Sequence, residues 1–365
     1  MIGFSLRRYR AFLISAVIAV TCVHKGQASV GTEGASFLDI PVGAAPAALG
    51  SAYSALANNA YAPVWNPGGL GFLKGAEAAA QHVAYVQAIR YEYFSFVMPI
   101  GAPADNAGGR GFGLSIQDLG SGDIPRTDVL NGAPVTHLGS FSSHWGAYNL
   151  SYGQTVTEKL ALGITGKWIH GRIDDVSAGT YGFDFGSLYR YSESLSFAAT
   201  VLNAGAKLKF LTNKDSLPLA VHAGARYRLN QRWQFSGESI YRQTGMASAQ
   251  AGAQWQPLRP LALRLGYQTD HLKGLSPLAG LTLGTGLQLW GHELAYAWVP
   301  YGELGYAQYL SLQMRFGAQD GASDHLLRYE TRKPAPLQPD DLETSLLLNE
   351  VLPDAWLENA EARRR

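Results

Sequence analysis

Over most of the chain, apolar residues recur at every second position. Leu219, Val221, Ala223, Ala225, Tyr227 and Leu229 alternate with Ala220, His222, Gly224, Arg226 and Arg228. Leu261, Leu263, Leu265 and Tyr267 alternate with Ala262, Arg264, Gly266 and Gln268. Leu310, Leu312, Met314 and Phe316 alternate with Tyr309, Ser311, Gln313 and Arg315. Tyr181, Phe183, Phe185, Tyr189 and Tyr191 share one parity, and Asp184 and Arg190 the other. Successive side chains of a strand point to opposite faces, so each stretch has one apolar face and one polar or glycine face.

The pattern predicts fourteen strands, over 76–87, 89–99, 111–119, 142–155, 159–172, 178–191, 194–204, 217–229, 231–242, 246–257, 259–269, 277–289, 291–299 and 306–317. Most are longer than the ~5–6 residues usual in globular sheets and match the ~9–11 that a tilted strand needs to cross a bilayer. If the first strand starts in the periplasm, 155–158, 192–193, 230, 258 and 291 are short turns on that side. The longer connections 120–141, 205–216, 269–276 and 300–305 then lie outside, an asymmetry typical of outer-membrane barrels. The first and ninth connections, which are short, and the second, around 101–110, which is long, are exceptions. The expected fold is an all-β membrane protein: a 14-stranded antiparallel outer-membrane β-barrel over 76–317. A soluble sandwich would show the same alternation without the loop asymmetry.

Composition sharpens this picture. Only 16% of the 365 residues are charged, against roughly 25% in ordinary soluble domains. Glycine is abundant, at 42 residues. A net charge of +1 argues against nucleic acid as a partner. One cysteine excludes a disulfide framework and a cysteine-based zinc site.

Arg7, Arg8 and Arg10 precede the apolar run 11–23, and Gly26-Gln27-Ala28 places small residues before a cut after Ala28. This reads as a signal peptide over 1–28, too short to anchor as a helix. Its removal leaves 25 Lys+Arg against 28 Asp+Glu and takes away the lone Cys22. Residues 318–365 are expected to form a periplasmic tail, with a linker at Pro334, Pro336 and Pro339 and a short helix containing Leu342, Leu346 and Leu347.

Alternation assigns Arg90, Glu92, Lys167, Asp184, Arg190, Arg226, Arg228, Glu238, Arg242, Arg264 and Arg315 to the lumen. Two readings stay open: mutually paired structural charges, or a mildly anion-favouring channel.

Residues 29–75 precede the first strand. Pro46 suits a helix start, and Leu49, Tyr53 and Leu56 give one apolar stripe within 44–58. Trp65-Asn66-Pro67-Gly68-Gly69-Leu70 reads as a turn. The segment is too apolar for a linker and is expected to be a small helical hatch or plug in the barrel.

The run from Gly34 to Asn59, GASFLDIPVGAAPAALGSAYSALANN, resembles the N-terminal signature of the PorV/PorQ family. Trp65–Leu70 resembles that family's W-N-P-A-G-L turn, and Tyr91-Glu92-Tyr93 its second-strand motif. The resemblance covers about residues 31–100. It departs at Gly68, where alanine is usual, and at Asn58-Asn59, where an acidic pair is common. These barrels are similar to the FadL group of fourteen-stranded transporters with an N-terminal hatch. The resemblance implies a bacterial outer-membrane location. It implies a role in type IX-like protein secretion or attachment, with secretion-system components or secreted proteins as partners. The alternative is FadL-like transport of a hydrophobic small molecule. In both cases the wall meets outer-membrane lipid.

The chain offers no catalytic residues, metal ligands or cofactor motif, and a non-enzyme is expected. Gly163-Ile164-Thr165-Gly166-Lys167-Trp168 is too short for a phosphate loop. Asp184-Phe185-Gly186 lies in a strand without companion kinase motifs. Gly109-Arg110-Gly111-Phe112-Gly113 leads into a strand, not the helix a dinucleotide loop needs.

Overall fold

The computed structural model describes residues 33–85, 89–101, 108–130, 133–135, 138–270 and 277–317. The expected leader and tail lie outside the described residues.

Fourteen antiparallel strands close into a barrel. They are β1 (Ala76–Ala84), β2 (Arg90–Ile100), β3 (Arg110–Gly120), β4 (Ser143–Thr155), β5 (Leu160–Ile173), β6 (Val176–Arg190) and β7 (Leu195–Gly205), then β8 (Ala220–Arg228), β9 (Trp233–Arg242), β10 (Ala247–Leu258), β11 (Leu261–Gln268), β12 (Leu281–Leu289), β13 (His292–Pro300) and β14 (Tyr306–Phe316). Each pairs with the next, and β14 returns to β1 with Glu77 opposite Arg315 and Ala80 opposite Leu312. Closure leaves no open sheet edge. All fourteen expected strands are present in order. The differences are at their ends: Pro277–Gly280 forms a 3₁₀ turn before β12 rather than part of the strand.

We call the end where β1 begins and β14 finishes the terminal rim, and the opposite end the loop rim. Two long connections at the loop rim carry small hairpins. One pairs Leu208–Phe210 with Asn213–Asp215. In the other, Ile124–Pro125 pairs with Ser140–Phe141.

Burial follows the strand alternation. Phe94, Leu114, Leu150, Phe185, Leu265 and Leu310 are exposed on the outward face, whereas Tyr91, Gln117, Asp184 and Tyr309 are buried inside. No helix among the described residues is long and apolar enough to cross a membrane, which says nothing against crossing by strands.

The interior is filled by residues 33–75. This segment meets the hairpin of the loop rim, where Gly34 N donates to Ser216 O at 2.9 Å. It ends at the terminal rim, where it joins β1. The expected helix is much shorter than 44–58: it spans Ala44–Ala48. Gly50 and Ser51 both take left-handed backbone (φ 62° and 65°), so the chain turns instead of continuing the spiral. Leu49, Tyr53 and Leu56 therefore do not form one stripe. Leu49 packs against the β10 wall at Gly252, and Tyr53 packs edge-on to Tyr61 and Trp65. A second short helix, Ala62–Trp65, leads into a 3₁₀ turn at Pro67–Phe72.

The wall accommodates this hatch by omitting side chains. An added Cβ at Gly111 would lie 2.2 Å from Leu70 O, and at Gly163 2.2 Å from Pro67 C. At Gly266 it would lie 2.0 Å from Gly50 N, and at Gly284 2.4 Å from Ala48 Cβ. Gly153, Gly186, Gly224 and Gly252 meet the hatch in the same way. The inward glycines read as a polar-face pattern in the sequence are thus seats for hatch backbone.

Candidate functional site

The hatch is fastened by buried polar contacts that local sequence places well. Asn66 is extended at the start of the 3₁₀ turn, and its Oδ1 accepts from Gly68 N at 3.0 Å. Its Nδ2 donates to Ser54 O within the hatch and to Ser187 O on β6, each at 3.0 Å. Ala60 O accepts from Ser95 Oγ at 2.6 Å and Tyr93 OH at 3.1 Å, and Ala60 N donates to Glu77 Oε2 at 3.1 Å. Ser54 N donates to Glu238 Oε2 at 2.9 Å. Thr282 Oγ1 donates to Ala48 O at 3.0 Å. All but the Ser187 bond satisfy a hatch backbone group that helix or sheet pairing would otherwise hold, and the Ser187 bond ties the hatch to the wall.

The motif residues gather at this seam. Trp65 Nε1 donates to Val42 O at 2.8 Å. Pro67 lies against Gly163 and Gly186, and Leu70 against Gly111 and Gly153. Gly69 has no room for a side chain, because a Cβ would fall 1.6 Å from Ala57 O. At Gly68, where the resembled family has alanine, a Cβ would lie 3.0 Å from Gly186 O, a tight fit.

Most of the expected lumen charges face inward, and most have partners. Lys167 Nζ lies 2.7 Å from Asp184 Oδ2 and donates to Asn203 Oδ1 at 2.6 Å. Arg264 reaches Glu293 at 2.6 Å and Arg315 reaches Glu77 at 3.2 Å. Glu238 Oε1 lies 2.7 Å from His222 Nδ1. Arg226 Nε donates to Gln234 Oε1 at 2.9 Å, and Arg228 Nη2 to Glu193 O at 3.1 Å near the terminal rim. The Arg190 guanidinium lies 3.8 Å over the Phe72 ring, a cation–π contact. Arg242 sits 3.5 Å from Asp39 and 3.7 Å from Asp270.

Arg90 and Glu92 correct the expectation: both are exposed on the outward face, on the parity of Phe94 and Met98. The strand carries aromatics on both parities, so alternation alone could not orient it. Tyr91 and Tyr93 turn inward because their hydroxyls find partners there: Gln117 Nε2 donates to Tyr91 OH at 2.8 Å, and Tyr93 binds Ala60 O.

On the loop-rim side of the hatch lies a cavity of about 350 Å³. Its apolar wall includes Leu38, Val42, Trp65, Leu202, Ile240 and Met246. Tyr85 and Tyr301 add a pair of rings, 5.3 Å apart and edge to face. Its polar wall includes Glu33, Asp39, Lys167, His222, Arg242 and Asp270. Burial, and next the nearby Asp39 carboxylate, push the Glu33 carboxyl above its usual range, with Arg242 opposing. Sequence reading named Lys167 and Arg242 but missed Glu33, Asp39 and Asp270. These three lie in the hatch and at a strand end, where no alternation marks them.

This architecture has counterparts among solved structures. The Pseudomonas putida toluene transporter TodX superposes with a TM-score of 0.57 at 13% identity, over 76% of this chain and 99% of that one. The CymD monoaromatic hydrocarbon channel gives 0.49 at 12% identity, over 76% and 98%. A Pseudomonas aeruginosa FadL homologue gives 0.49 at 12%, over 75% and 98%. The likeness to TodX shows the fold, a closed barrel of the kind that transporter has. No protein-family model and no curated protein matches the sequence. The finer PorV/PorQ resemblance rests on residues 31–100 alone.

Proposed function

We propose that this protein is a non-enzymatic outer-membrane channel that takes up a small molecule with a substantial apolar part. The observation that carries the reading is the cavity between hatch and wall. About 350 Å³ lies within the range of small-ligand sites, and the lining combines an apolar wall with a few converging polar groups. The barrel wall meets lipid through its outward Phe, Leu and Tyr side chains. The polar and glycine face is turned to the hatch, where every backbone group can be paired without water. The loop rim faces outside and the terminal rim the periplasm, in keeping with the two hairpin-bearing connections on the loop rim and mostly short turns on the terminal rim, where 101–109 is the long exception. A ligand arriving from outside meets the cavity first, and the hatch then separates it from the periplasm.

The likeness to a toluene transporter favours transport over the secretion reading, which draws no support from the solved structures. The test is uptake of radiolabelled toluene by an outer-membrane-bearing host with no channel of its own. Expression should raise uptake above the vector control, and Met246→Trp, which fills the cavity, should remove most of the gain. Uptake equal to the vector control for toluene and, in a parallel assay, for radiolabelled 2-phenylethylamine refutes the reading. Loss of several surface proteins on deletion in the native host, with uptake unchanged, favours the secretion role.

A further inference from the structure

The cavity's charge and hydrogen-bonding balance is one-sided. Glu33, Asp39 and Asp270 all line it, and the base within ion-pair reach of Asp39 and Asp270 is Arg242, at 3.5 and 3.7 Å. The other two basic groups in the wall are already engaged. Lys167 is paired with Asp184 at 2.7 Å, and His222 with Glu238 at 2.7 Å. With the carboxyls ionised, the lining is therefore an excess of negative charge in a partly desolvated space.

Acceptors are in surplus as well. Glu33 Oε1, Gln250 Oε1 and Asp270 Oδ1 are buried oxygens of lining residues, and none has a hydrogen-bond donor among the described residues. Gln250 is only 4% exposed, so solvent does not compensate it freely. An unmatched buried acceptor carries a desolvation cost that an incoming donor relieves. A carboxylate ligand brings only further acceptors and further negative charge. The aromatic faces of Tyr85, Tyr301 and Trp65 attract a cation as well.

We propose that the ligand is a cationic amphiphile: a protonated amine on a compact apolar body, its ammonium directed to Glu33, Asp270 and Gln250. This rests on the transport reading, and it narrows that reading from any apolar molecule to one with a donor-rich, positively charged end. Lys167 and Arg242 are not anchors for an anionic head group in this scheme. They are counterions that hold the acidic lining in place.

The test uses the full-length processed barrel in lipid nanodiscs and three near-isosteric probes: 2-phenylethylamine, phenylacetate and ethylbenzene. Calorimetric titration should show the amine binding about tenfold or more tightly than either of the others, the size of one charge-assisted hydrogen bond. In Glu33→Gln/Asp270→Asn that preference should shrink to about twofold or less. Gln250→Met, which leaves the charges alone, should lose part of it. Heat-shifted gel migration checks that each variant is folded. Phenylacetate or ethylbenzene binding as tightly as the amine overturns the inference and leaves the transport reading standing. So does an amine preference that survives both variants. Binding of none of the three overturns the transport reading itself.

Discussion

Gly163→Ala isolates the contact between wall and hatch. Gly163 sits on β5, and its added Cβ would lie 2.2 Å from Pro67 C, 2.3 Å from Pro67 O and 2.5 Å from Gly68 N. All three neighbours are backbone, so no rotamer change relieves the overlap. Small-to-large changes in packed interiors cost ~1–3 kcal/mol, and a backbone clash belongs at the top of that range. At 1.4 kcal/mol per factor of ten, ~3 kcal/mol shifts the seated-to-displaced ratio of the hatch about a hundredfold. The barrel itself should survive, because β5 keeps its pairing to β4 and β6. Gly237→Ala is the control: its Cβ would meet nothing closer than 4.0 Å, and alanine there should be neutral or slightly stabilising. Single-channel recording in a planar bilayer reads the difference as more frequent open events. Limited proteolysis around 73–75 reads it as faster hatch release. If Gly163→Ala leaves both indistinguishable from Gly237→Ala, the hatch is not held by backbone complementarity.

Asn66→Asp replaces the amide that donates to Ser54 O and Ser187 O with an oxygen facing two carbonyls. It should lower the denaturant midpoint of hatch release by several kcal/mol in equivalent free energy, more than Asn66→Ala, which only empties the site. Lys167→Met leaves Asp184 buried and unpaired and should cost ~3–5 kcal/mol in urea unfolding followed by gel shift. Lys167→Met/Asp184→Leu should recover much of that loss. Leu150→Arg puts a charge on the outward wall; it should destabilise by ~2–4 kcal/mol if that face meets the middle of a bilayer, and by little if it meets water.

The barrel was legible because a half-apolar strand has only one period to show. Fourteen such strands produce fourteen clear runs, from Ala76 to Phe316. Orientation was legible only where one parity is purely apolar. β6 qualifies, with Phe183 and Phe185 outside and Asp184 inside; β2 does not, and its two charges, Arg90 and Glu92, are outward. The hatch was legible as an element but not as a shape. Its apolar spacing around Leu49, Tyr53 and Leu56 mimics a helix, while two left-handed residues at Gly50-Ser51 redirect the chain. The hatch seats lay hidden in the alternation: Gly153, Gly163 and Gly186 read only as members of the polar or glycine face until the hatch is found against them. The cavity acids were invisible for a different reason. Glu33, Asp39 and Asp270 come together only because the first part of the hatch lies beside the rim ends of β9 and β11.

On the transport reading proposed above, the glycine seats also set the clock of passage. Exposed side chains exchange rotamers in picoseconds to nanoseconds, so a gate made of side chains can flicker rapidly. At Gly111, Gly163 and Gly266 the hatch has main chain against main chain, with no rotor to turn aside. A ligand passing this belt must wait for the segment to shift as a body or to unfold locally, events of microseconds to milliseconds or slower. Turnover per barrel is then capped on the order of 10³–10⁶ molecules per second, however fast diffusion delivers them to the cavity.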